Sequence, residues 1–82
     1  MIISVTKTDI KLAKRNCPDR CPIARSIRRK LKLKLEDVFV WPMQREIFIL
    51  DNSYILSEDA AERARHYDRG GMMEPFKFSI YS

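Results

Sequence analysis

Cys21-Pro22-Ile23-Ala24-Arg25-Ser26-Ile27-Arg28-Arg29-Lys30-Leu31 runs directly into Lys32-Leu33-Lys34-Leu35, and the change of period between the two pieces decides how the chain is divided. Pro22 suits the first position of a helix, where its missing N–H would have had no partner, which makes Cys21 the N-cap. Ile23, Ala24, Ile27 and Leu31 then form one apolar stripe at helical spacing, while Arg25, Arg28, Arg29 and Lys32 recur on another face. From Lys30 to Leu35 apolar and basic residues alternate with a period of two, so the helix is expected to end there and the chain to extend.

Toward the C-terminus, Asp37 to Trp41 is rich in β-branched and aromatic residues, and Pro42 to Gln44 reads as a turn before the apolar run Ile47 to Leu50. Asp51-Asn52-Ser53 is a second turn signal, after which Tyr54, Ile55 and Leu56 pair back as a third strand of a meander. Ser57 caps a helix from about Glu58 to Arg69, with Glu58 and Asp59 in its first turn and Gly70 closing it in a left-handed conformation. The inward stripe of that helix, Ala60, Ala61, Ala64 and Tyr67, is mostly small and allows close approach to a sheet. Phe76, Phe78 and Ile80 alternate with Lys77, Ser79 and Tyr81, the pattern of a last strand with one buried face.

Toward the N-terminus, Ile2 to Thr6 reads as a first strand with Ile3 and Val5 on one face. A short helix follows, with Thr8 as cap, Asp9 in the first turn, Lys14 and Arg15 near its end, and Pro18 as its stop. The order predicts an α+β single domain over residues 1–82: a mainly antiparallel sheet of about four to five strands with helices packed on one face. Pairing the last strand with the first would bring the two ends of the chain together in the sheet.

Charge is divided along this chain. Residues 1–35 carry eleven Lys or Arg against two acids, and residues 36–82 carry five against nine, so a net charge of +5 is a +9 half joined to a −4 half. Six of the ten residues from Arg25 to Lys34 are basic with no acid among them, a density that repels itself unless an anion relieves it. Arg20, Arg25, Arg28, Arg29 and Lys32 are therefore the candidate anion-binding residues, with Lys30 and Lys34 beside them. Guanidinium forks match phosphate oxygens in pairs. The competing reading is a solvated helix face whose long stems shield the core.

At 82 residues the chain supports one core, and its 45% hydrophobic content with eight aromatics describes a folding sequence. No apolar run approaches the ~20 residues that span a bilayer, and no secretory leader pattern opens the chain, so a cytoplasmic, non-membrane protein is expected. Cys17 and Cys21 are expected as reduced thiols. Only His66 and distant carboxylates stand ready to complete a metal site with them, and no metal or cofactor is expected. One His, with no Gly-x-Ser-x-Gly and no His-Glu-x-x-His, points away from an enzyme.

Two segments, Cys21 to Arg29 and Tyr67-Asp68-Arg69-Gly70 followed by Glu74-Pro75-Phe76-Lys77-Phe78, resemble a group of short, mostly uncharacterised proteins of tailed phages and prophages. In that group a Cys-Pro-Ile/Val-Ala-x-x-Ile/Leu helix start and a Phe-Asp-x-Gly and Pro-Phe-x-Phe ending bracket a strand-rich middle. The resemblance implies a phage origin, in the host cytoplasm, more than an activity and transfers no catalytic residue; small phage proteins of this kind are often non-enzymatic antagonists that occupy a host enzyme's surface, mimic or cover nucleic acid, or sequester a nucleotide signal used in host defence.

Three partners fit the basic face. A nucleic acid would bind through phosphates with steep salt dependence. A nucleotide or cyclic oligonucleotide would need aromatic walls, for which Trp41 and Tyr67, with Tyr54 and Tyr81, are candidates. An acidic host protein would need an apolar anchor such as Trp41 or Met43. A homo-oligomer is a fourth possibility, the basic half of one copy facing the acidic half of another.

Overall fold

The computed structural model describes residues 1–80. Its elements are β1 (Ile2–Val5), α1 (Lys7–Leu12), α2 (Pro22–Leu31), β2 (Val38–Trp41), β3 (Glu46–Ile49), β4 (Asn52–Ile55), α3 (Glu58–Asp68) and β5 (Phe76–Ser79), with a short 3-10 turn at Leu35–Asp37 before β2. The fold is α+β and every strand pair is antiparallel. The five strands divide into a two-stranded sheet, β1-β5, and a three-stranded meander, β2-β3-β4.

The first and last strands pair as the alternation of both implies, with Ile3 opposite Phe78 and Val5 opposite Phe76. Their inward side chains join the buried faces of α2 and the meander in one core, which holds Ile3, Ile23, Ile27, Val38, Val40 and Ile47 without exposure. Helix α2 packs against both β1 and β2 and so ties the two sheets together. The small stripe of α3 is buried as its composition requires, and Arg63 reaches from α3 over the Phe76 ring, 4.8 Å from its centroid.

Four local expectations are corrected. Thr6, not Thr8, caps α1: its hydroxyl accepts from the Asp9 N–H at 3.2 Å while the Asp9 carboxylate accepts from the Thr6 N–H at 3.0 Å, a reciprocal capping box. The helix ends at Leu12, so Lys14, Arg15 and Pro18 lie beyond it. Pro18 acts elsewhere, its carbonyl accepting from the Val40 N–H at 2.9 Å along the outer edge of β2.

The tight turn between β3 and β4 is Leu50-Asp51 rather than Asp51-Asn52-Ser53, because Asn52 already pairs with Ile49. Leu50 takes φ 56°, a left-handed value that a branched side chain adopts at a cost. At the end of α2, Lys32 adopts φ 57° and the Leu33 N–H returns to the Arg28 carbonyl at 3.0 Å, a Schellman-type closure made without glycine. The alternation after Leu31 therefore does not form a strand. The chain turns once more at Leu35–Asp37, and β2 starts at Val38.

Candidate anion-binding face and adjoining groove

Helix α2 presents its basic residues in two different environments. Arg29 turns toward the first strand and α1, where its Nη2 lies 2.8 Å from Asp9 Oδ2 and donates to the Ser4 carbonyl at 2.8 Å. Burial of Asp9 would raise its pKa, but hydrogen bonds from Arg29 and from Thr6 outweigh that and hold the carboxyl below its usual range. The same bond raises Arg29. Arg29 is thus a neutralised structural cation, a role that no local spacing announces because Asp9 lies twenty residues away.

Arg25 and Arg28 occupy the next positions round the helix. Both are half-buried. Arg28 donates to the Asp19 carbonyl, and its pKa is lowered first by burial and then by the neighbouring charge of Arg25, with Arg20 adding to the repulsion and Asp19 opposing it. Arg25 Nε is buried and has no hydrogen-bond partner. Arg20 and Lys32 are exposed. Arg28 therefore stands among the like charges of Arg25 and Arg20, with Asp19 as the acid beside it.

The aromatic residues separate as well. Trp41 is 41% exposed at the end of β2 and borders an open groove of about 270 Å³ with Cys17, Pro18, Val40, Pro42 and Met43. Met43, 76% exposed, projects from the β2–β3 turn. Tyr67 is buried, with Arg15 stacked over its ring at 4.4 Å from the centroid, so it offers no open face for a base. Tyr54 is half-buried against the core, and Tyr81 lies outside the described residues.

The wall of the groove facing Trp41 comes from Asn16, Cys17 and Pro18 in the 13–20 loop, a wall that the sequence does not announce. That loop is fixed to the end of α3: Asn16 donates from its backbone to Asp68 Oδ1 at 3.0 Å and from its side chain to the Asp68 carbonyl at 3.1 Å, while Arg15 Nε donates to the Tyr67 carbonyl at 2.8 Å. Asn16 at φ 59° was the local signal, since asparagine tolerates the left-handed region.

Cys21 caps α2 as expected, its Sγ accepting from the Ala24 N–H at 3.3 Å. Burial pushes its thiol up to about 11, so it stays protonated at neutral pH and is a poor nucleophile. Among the described residues no three His, Cys, Asp or Glu side chains come together as a metal-binding group, and no helix is long and apolar enough to cross a membrane. No family model, curated protein or solved structure matches the chain.

Proposed function

We propose that this chain is a non-enzymatic binding protein that captures phosphate-bearing ligands, a nucleotide signal or nucleic acid, on the basic face of α2. The observation that carries the reading is the Arg20, Arg25 and Arg28 group, in which burial first and then the like charges of Arg25 and Arg20 lower the Arg28 pKa against the opposing charge of Asp19. Such a group is costly in the free protein, and a phosphate dianion removes the cost while accepting paired guanidinium hydrogen bonds. Lys32, Lys30 and Lys34 extend the face, and Arg29 is left out because Asp9 already neutralises it. The resemblance of the Cys21–Arg29 and Tyr67–Phe78 segments to short phage proteins supports reading such capture as a counter to host defence in the host cytoplasm.

A second reading, inhibition of a host enzyme or defence complex through an acidic surface, is favoured by the groove at Trp41 and Met43, an apolar anchor within reach of basic residues. The two are separated by mass and by salt. Native mass spectrometry after incubation with a nucleotide and cyclic-oligonucleotide mixture reads ligand and assembly together. A discrete nucleotide mass lost in an Arg25→Glu/Arg28→Glu variant supports capture. A bare protein, with salt-insensitive nucleic-acid binding, overturns it.

A further inference from the structure

The meander turns one face into the core, where Val38, Val40 and Ile47 are without exposure. Side chains alternate between the two faces of a strand, so Phe39, Trp41, Glu46, Phe48, Ser53 and Ile55 stand on the other. The register sets these six in two cross-strand rows, Phe39-Phe48-Ser53 and Trp41-Glu46-Ile55. Phe39 and Phe48 are half-buried, yet they belong neither to the core nor to the residues packed against it. Trp41 is 41% exposed and Ile55 70%. Three of the eight aromatic residues in the chain thus share one outer sheet face.

The basic group of α2 adjoins this face at the edge of β2. The Pro18 carbonyl takes the N–H of Val40, the residue between Phe39 and Trp41, and Pro18 and Trp41 line the same groove. Arg28 donates to the carbonyl of Asp19, the next residue of that loop, so its guanidinium is anchored beside the β2 edge. The acids of the meander lie elsewhere, apart from Glu46, which makes no ion pair among the described residues. Asp37 and Asp51 are at the opposite end from Trp41, where the Leu50 N–H bonds to the Asp37 carbonyl. This arrangement steers a polyanion toward the β2 edge and the Trp41 end.

We infer that the outer face of the meander stacks the bases of a single-stranded nucleic acid on Trp41, Phe39 and Phe48, while its phosphates follow Arg20, Arg25 and Arg28 along the edge of β2. The inference rests on the reading of α2 as a phosphate-capturing face and names the ligand within it. Single strands are held by two parts, a basic track for the backbone and aromatic rings for the bases, and both parts meet here. A duplex keeps its bases stacked on one another and offers the rings nothing.

Glu46 decides between occupants. A second copy docked face to face would bury this carboxylate against a surface with no cation, because none of the six outer residues is basic. A base bearing an exocyclic amino group instead donates to it, as cytosine does through N4. The carboxylate also repels phosphates from the middle of the sheet, which keeps the backbone at the β2 edge and leaves the rings to the bases.

The test titrates the full chain with a short labelled oligodeoxycytidylate and with a duplex of the same length. Trp41 is the only tryptophan, so its emission reads stacking directly, while anisotropy of the label reads affinity. The expected result is quenching of Trp41 by the single strand and not by the duplex, with affinity for the single strand reduced about tenfold in Trp41→Ala and in Phe48→Leu. Phe48→Leu keeps an apolar side chain and removes the ring, and thermal unfolding checks that both variants fold. Binding that leaves Trp41 emission unchanged and survives both substitutions overturns the inference and leaves phosphate capture standing. So does a nucleotide held through Arg25 and Arg28 with no oligonucleotide bound, whereas failure to bind either ligand removes both readings. A concentration-dependent change of Trp41 emission in ligand-free protein that self-associates overturns the inference in favour of a second copy.

Discussion

Arg29 Nη2 sits 2.8 Å from Asp9 Oδ2, and the Asp9 side chain is 3% exposed while that of Arg29 is 51% exposed. The asymmetry makes Asp9 the structural centre of the pair. It closes the α1 capping box, accepts from Arg29 and through Arg29 is linked to the edge of β1. Asp9→Asn is expected to cost about 2 kcal/mol, since a charge-assisted bond and part of a helix cap are lost together. Arg29→Gln costs less, because half of its side chain remains in water. Chemical denaturation of both variants checks the order.

The pH dependence of that pair has a definite sign. The Asp9 pKa is depressed in the folded state, so the unfolded chain binds the proton first as pH falls. The stability supplied by the Asp9 carboxylate is fully present above its ordinary value of 3.8 and is lost as pH drops through the folded value. Denaturation midpoints measured from pH 6 to pH 2 should show this decline in the native chain and a shallower one in Asp9→Asn.

Anion binding should divide the basic residues of α2 into two groups. Arg25→Glu/Arg28→Glu is expected to weaken binding of a phosphate-bearing ligand at least tenfold and to flatten its salt dependence, by about 0.9 in log-log slope per lost phosphate contact on duplex DNA. Arg29→Gln should lower stability and leave binding nearly unchanged. Fluorescence anisotropy at several salt concentrations measures both. Equal losses in the two variants would remove Arg25 and Arg28 from their special place.

The two thiols should react unequally. Cys17 is half-buried at the groove and Cys21 is buried with its thiol raised to about 11. A thiol reagent at pH 8 should modify one cysteine in native protein and two in denaturant. The stability that buried Cys21 supplies by staying protonated is complete below the ordinary thiol value of 9.0 and is lost as pH rises through about 11.

Leu50 at φ 56° in the exposed β3–β4 turn holds a conformation better suited to asparagine. Leu50→Asn is expected to raise stability by about 0.5–1 kcal/mol, read as a higher denaturation midpoint.

The sequence carried the helices and the strand faces because each depends on neighbours within one or two turns. Pro22 and Cys21 start α2, Ser57 and Gly70 bracket α3, and the alternation of Phe76, Phe78 and Ile80 marks the last strand. It misplaced what competed locally. Thr8 and Thr6 are both fit to cap, and only Thr6 stands three residues before Asp9, whose carboxylate returns the bond. Asp51-Asn52-Ser53 has turn composition, yet strand pairing keeps Asn52 in the ladder and forces Leu50 into the turn.

From sequence alone came the α+β class, the two amphipathic helices, the meander and the concentration of positive charge on α2, because periodicity and composition are properties of consecutive residues. Tertiary structure alone decided which of those charges is free. Arg28 and Arg29 are chain neighbours of one type, but one meets Arg25 and Asp19 and the other meets buried Asp9. It also brought the Pro18 carbonyl to the Val40 N–H on the edge of β2 and the Arg29 guanidinium to the Ser4 carbonyl on the edge of β1, both from distant segments. The physical reason is the same for both: hydrogen bonds and ion pairs act over a few ångströms in space, and folding, not spacing along the chain, sets those distances.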